Sequence, residues 1–148
     1  MDNNYISKGG WFSFSLADGW AEYDDDDEAT HAFWHATESF WTGNFRITAF
    51  QWPDTVSPDI NQAADYITTE IAENDGAKSI RLGNNNCTHY KKESVQDDEG
   101  HITYYWITGK NNDIFLCTFT IDKTQEFLPI NKTELTSVQN MIASIQVI

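Results

Sequence analysis

The run Gly10-Trp11-Phe12-Ser13-Phe14-Ser15-Leu16-Ala17-Asp18-Gly19-Trp20 decides how the rest of the chain is read. Phe12, Phe14 and Leu16 alternate with Ser13 and Ser15. Successive side chains on a strand point to opposite faces, so this run is a strand with one buried face. Gly9-Gly10 breaks the chain before it, and Asp18-Gly19 is a turn signal after it. Working forward, residues 20–23 form a short second strand that runs into the acidic block Asp24-Asp25-Asp26-Asp27-Glu28. Residues 31–36 read as a third strand, 37–44 as a turn and 45–52 as a fourth strand. On the fourth, Phe45, Ile47 and Ala49 share one face, and Arg46, Thr48, Phe50 and Trp52 share the other. Apolar side chains on both faces imply cover on both sides for part of its length.

A helix follows. Ser57 can cap it, Pro58 fits its first position and Asp59 complements its N-terminal dipole. Ile60, Ala63, Ala64, Ile67 and Ile71 fall on one side at helical spacing, and Asn74-Asp75-Gly76 ends it. Strands are then predicted over 78–82, 87–94, 101–109 and 113–121. The last three are joined by Gln96-Asp97-Asp98-Glu99-Gly100 and Lys110-Asn111-Asn112, both short enough for antiparallel hairpins. Ile102, Tyr104 and Trp106 face away from Tyr105 and Ile107, while Phe115, Cys117, Phe119 and Ile121 share a face. A second helix starts near Asn131, which with Glu134 matches a capping box, and buries Leu135, Val138, Met141 and Ile142. Residues 145–148 read as a terminal strand. The pattern is α+β: an antiparallel β-sheet flanked by two main helices, an α/β/α sandwich in one domain over 1–148.

The opening strand and Gly19-Trp20 turn resemble the start of PsbP-like and DcrB-like domains, a superfamily that includes Mog-type proteins. The closing run Met141-Ile142-Ala143-Ser144-Ile145-Gln146-Val147 is similar to the superfamily's last helix and its Ser-Ile strand entry. Within the group the chain most resembles small domains of gut Bacteroidetes that carry no assigned activity. The resemblance implies an antiparallel sheet between helices. It also implies non-enzymatic binding of protein partners, as in a photosystem accessory subunit, a Ran-binding nuclear transport factor and chaperones for secretion-system effectors.

Composition narrows the partners. At 148 residues the chain can bury roughly 70% of the surface its unfolded form exposes. Its net charge of −14 repels nucleic acid and anionic membranes, and it would steer a basic protein inward. No leader or membrane-spanning run is expected, and Cys87 and Cys117 make neither a disulfide framework nor a metal cluster, so a cytoplasmic setting is expected.

Candidate chemistry is sparse. Residues 24–28 have neither the alternation nor the glycine of a calcium loop, so no metal is expected there. His31 and His35 would share a strand face about 13 Å apart, too far for one ion. Cys87 and His89 stand about 6–7 Å apart on a strand, too far for a thiolate and its base. No phosphate loop, nucleophile elbow or dinucleotide fingerprint occurs, and no cofactor is expected. The expected function is an acidic protein-interaction module of adaptor, secretion-chaperone or toxin-immunity type. Its binding residues would be Asp24, Asp25, Asp26, Asp27 and Glu28 with Trp34, Trp41 and Trp52, exposed tryptophan being favoured at interfaces. One alternative is a small-ligand pocket between sheet and helix, lined by Trp20, Trp34 or Tyr104. Another is an enzyme site formed by His89, His101 and Asp97-Asp98-Glu99.

Overall fold

The alternation read from the sequence becomes two antiparallel sheets. The computed structural model describes residues 3–23, 29–51, 62–110 and 113–148. Its elements are β1 (Asn3–Ile6), β2 (Phe12–Leu16), β3 (Trp20–Tyr23), β4 (Thr30–His35), β5 (Asn44–Gln51), α1 (Gln62–Glu73), β6 (Lys78–Leu82), β7 (Asn85–Gln96), β8 (Glu99–Lys110), β9 (Asp113–Asp122), α2 (Pro129–Ala143) and β10 (Gln146–Val147). The large sheet runs β3-β4-β5-β9-β8-β7-β6, and a small one runs β1-β2-β10.

The strand that decided the reading is thus not part of the main sheet. β2 forms the middle of the small sheet and lays Phe12 against Phe115 (5.0 Å) and Phe14 against Phe33 (5.3 Å) on the large one. Its partner β1 was not expected: Asn3-Asn4-Tyr5-Ile6 has no apolar alternation, and pairing to β2 makes it a strand. Tyr5 alone reaches inward, onto Phe33, with its hydroxyl on Glu22.

The α2 face of the large sheet carries Phe33, Phe45, Ile47, Tyr104, Trp106, Phe115, Cys117, Phe119 and Ile121, which form one buried cluster with Phe12, Phe14, Val138, Met141 and Ile142. Burial lifts the Cys87 thiol to about 11 and the Cys117 thiol well above its ordinary value, so both are packing groups. On the other face α1 packs mainly on β7, β8 and β9. Ala63 meets Gly109, and the Thr88 hydroxyl donates to the Ile67 carbonyl at 3.1 Å. The sandwich is therefore partial: one face is shared by a helix and a second sheet, the other half covered by a helix. The proposed cap of α1 at Ser57, Pro58 and Asp59 lies outside the described residues.

Two local expectations are corrected. α2 begins at Pro129 after Leu128, and the Asn131–Glu134 capping box does not form. Both side chains point into the core, where tertiary partners outcompete the local bond. Asn131 donates to the Tyr104 hydroxyl and the Glu126 carbonyl, both at 3.1 Å, and Glu134 pairs with His35. The link between β7 and β8 is two residues, not five: Asp97 and Asp98 both have positive φ (53° and 64°), the geometry that matches the twist of a tight hairpin.

Candidate functional site

Of the residues expected to bind, Asp24, Asp25, Asp26, Asp27, Glu28 and Trp52 lie outside the described residues. Trp34 and Trp41 are described. Trp41 is 39% exposed on the link between β4 and β5, and its indole N–H donates to Asn44 Oδ1 at 2.9 Å. Trp34 is half-buried near the end of β4, opposite Ala21 of β3.

That link is fixed from below by three ties. The His35 Nδ1 meets Oε1 of Glu134 at 2.9 Å, and Trp20 stacks flat on the imidazole at 5.5 Å. Thr37 Oγ1 lies 2.9 Å from the imidazole's other nitrogen. Gly19 permits this, since its φ of +84° disfavours any side chain and a Cβ would stand 3.1 Å from both His35 and Thr37. Beyond Thr37, the Gln125 amide donates to the Thr42 carbonyl at 2.6 Å, and Gly43 packs against the Phe119 ring. The chain from Gln125 then crosses to β7, where Glu126 pairs with Lys91 at 2.6 Å, and enters α2 at Pro129.

Two loops are thereby held together at one end of the sheet, and both present large apolar groups to solvent. Phe40 is 56% exposed, Phe127 90% and Leu128 50%. A hollow of about 480 Å³, lined mainly by Glu126, Phe127, Leu128, Asn131, Lys132 and Leu135, opens next to Phe127. Folding does not bury such side chains, and a fixed backbone lowers the entropy lost when a partner covers them. The sequence reading missed Phe40, Phe127 and Leu128. The available signal was Phe127-Leu128 directly ahead of a helix-starting proline, with no alternation to give them a core face.

The carboxylate–imidazole–hydroxyl order of Glu134, His35 and Thr37 is that of a nucleophile relay. Here Glu134 is wholly buried, and its second oxygen, like Asn131 Oδ1, meets no donor among the described residues. The arrangement ties β4 to α2. The other candidate clusters do not assemble. His89 donates to the Tyr105 carbonyl at 2.8 Å and stacks on Trp106, while His101 lies five residues along β8 from Trp106, about 17 Å away. Trp20 and Tyr104 are filled into the core and Trp34 stands on the other face, so the three line no common pocket. No group of three or more metal-ligating side chains exists among the described residues, and no described helix is long and apolar enough to cross a membrane.

A family model described as "Domain of unknown function (DUF3805)" matches residues 1–148. A crystal structure from Bacteroides thetaiotaomicron is similar at 29% identity and a TM-score of 0.78, with 98% of this chain covered. It covers 48% of that protein, so the chain spans about half its length. A Mog1 variant (8% identity, TM-score 0.58, 99% of this chain and 96% of that one) has the same fold. So has LpqN of Mycobacterium tuberculosis, described as involved in cell envelope biogenesis (7% identity, TM-score 0.59, 99% and 90% covered). The resemblance to the PsbP and Mog-type superfamily is borne out at the level of fold. No curated protein matches.

Proposed function

The chain belongs to the DUF3805 family, and from that premise we propose that it is a non-enzymatic protein-interaction module of adaptor, secretion-chaperone or toxin-immunity type. The observation that carries this is the pair of tied loops that expose Phe40, Trp41, Phe127 and Leu128 at one end of the sheet. Large side chains on a fixed backbone are the anchors of protein interfaces. The net charge of −14 adds long-range attraction for a partner with a basic surface and favours fast encounter. The acidic block 24–28 belongs to this proposal as its charged part, and Trp52 as a further aromatic anchor. No nucleic acid, membrane insertion, metal or cofactor is called for, and a cytoplasmic setting suits two reduced thiols.

The test is capture from the host of origin with the wild-type chain and with Trp41→Ala/Phe127→Ala, at low and high salt. A partner held by the wild type at low salt, and at least about tenfold more weakly by the variant, is the expected result. Equal capture by both chains would count against this surface. A second reading, a small-ligand site, is favoured by one groove. Phe50, Gln51, Tyr66, Ile114 and Leu116 enclose about 370 Å³ between the sheet and α1. Saturable quenching of tryptophan fluorescence by an apolar probe, lost in Leu116→Trp, would support it.

A further inference from the structure

The same end of the sheet has a side that stays open. β6 pairs with β7 only from Leu82↔Asn85 to Lys78↔His89. Residues 90–96 of β7 therefore have β8 on one side and no strand on the other among the described residues. Which backbone groups face outward follows from the turns. Two-residue turns make Leu82↔Asn85 and Gln96↔Glu99 the closing hydrogen-bonded pairs. Even-numbered residues over 90–96 thus bond to β8, and Lys91, Glu93 and Val95 aim their N–H and C=O groups away from the sheet. Another extended backbone is the natural match for such a row.

The side chains around this row are mostly satisfied already. Lys91 is met by Glu126 at 2.6 Å and Glu93 by Lys123 at 3.1 Å. Lys92 lies over the stacked rings of Tyr90 and Tyr105, at 5.4 and 5.9 Å. What remains on the α2 side is apolar: Val95 is 76% exposed, and Phe127 follows Glu126. A second copy of the chain fits poorly. Antiparallel pairing must match outward residues to outward residues, and the register that uses the whole row sets Glu93 against Glu93, a like-charge pair.

We propose that residues 90–96 are a strand-addition site for an extended segment of a different polypeptide, with apolar side chains toward Val95 and polar ones toward Lys92. The proposal rests on the protein-binding reading and supplies its mode of attachment. The probe is a capped peptide of alternating valine and threonine, flanked by lysine, titrated into the isotope-labelled chain. The expected result is saturable binding with amide shifts centred on residues 90–96. Exchange of the Lys91, Glu93 and Val95 amides should slow at least tenfold. Glu93→Pro removes one outward N–H, a change edge strands tolerate, and should weaken binding at least tenfold while the rest of the spectrum persists. No binding at millimolar peptide, shifts mapped elsewhere, or equal binding by Glu93→Pro would overturn the proposal. So would a dimer in sedimentation with the same amides protected. Loss of partner capture in Trp41→Ala/Phe127→Ala but not in Glu93→Pro would overturn this edge alone and leave the docking surface standing.

Discussion

His35 and Glu134 show how much one residue pair can hold. A carboxyl group with no exposed surface has the His35 imidazole as its hydrogen-bond partner, and the pair joins β4 to α2 across 99 residues of sequence. His35→Ala would leave that carboxyl group buried without its hydrogen-bond partner, at a cost of about 1–3 kcal/mol in urea unfolding. His35→Ala/Glu134→Leu removes both polar groups and should recover most of the loss. Gly19→Ala should cost about 1–2 kcal/mol or more, because φ is positive and the new Cβ crowds the same imidazole. His89 and His31 add a pH dependence. Burial lowers both below the ordinary histidine value, so the unfolded chain binds protons first as pH falls. Stability is then complete above about pH 6.5 and declines as pH drops through the folded values. Unfolding curves at pH 7.5 and 5.5 should show this decline, and His89→Gln should flatten it. That His31 and His35 share a strand face was legible from their spacing. Glu134 as a partner was not, since Asn131 and Glu134 at three residues' separation look the same whether they cap a helix or enter a core.

At the level of elements, period-two alternation was the reliable guide. It placed Phe45 and Ile47 opposite Arg46 and Thr48, and Tyr105 and Ile107 opposite Tyr104 and Trp106, as found. It failed for β1, whose exposed Asn3, Asn4 and Ile6 give no pattern, and it could not say that β2 belongs to a different sheet. Alternation reports that a face is buried, not which strand lies beside it. The β7–β8 hairpin offers a test. Asp97 and Asp98 hold positive φ that asparagine and glycine accept more readily. Asp97→Asn/Asp98→Gly should therefore raise stability by about 0.5–1 kcal/mol, read from the urea midpoint at unchanged slope.

Across the whole molecule, charge works against compactness. With 23 acidic and 9 basic residues, the folded chain gathers like charges that unfolding would separate. Raising salt from about 0.05 to 0.5 M shortens the screening length severalfold and should raise Tm by a few degrees, measured by calorimetry. The same salt should slow association with a basic partner, so stability and binding rate move in opposite directions. The acidity was legible from composition, and Trp41 was legible as a surface tryptophan. The remaining apolar anchors were not, because exposure of Phe40, Phe127 and Leu128 depends on ties such as Gln125 to Thr42, which are 83 residues apart.

The small sheet also sets an order in time. β2 is flanked by β10, and the Ser15 amide donates to the Ser144 hydroxyl 129 residues later. During synthesis, a hairpin of β1 and β2 can form early, but its inner edge waits until residues 146–147 have left the ribosome. Until then Phe12 and Phe14 have no finished surface to cover. The strand whose pattern is plainest in the sequence is thus locked in place only after the strands of the large sheet have been made, and a nascent chain stalled before residue 146 would expose it to chaperones.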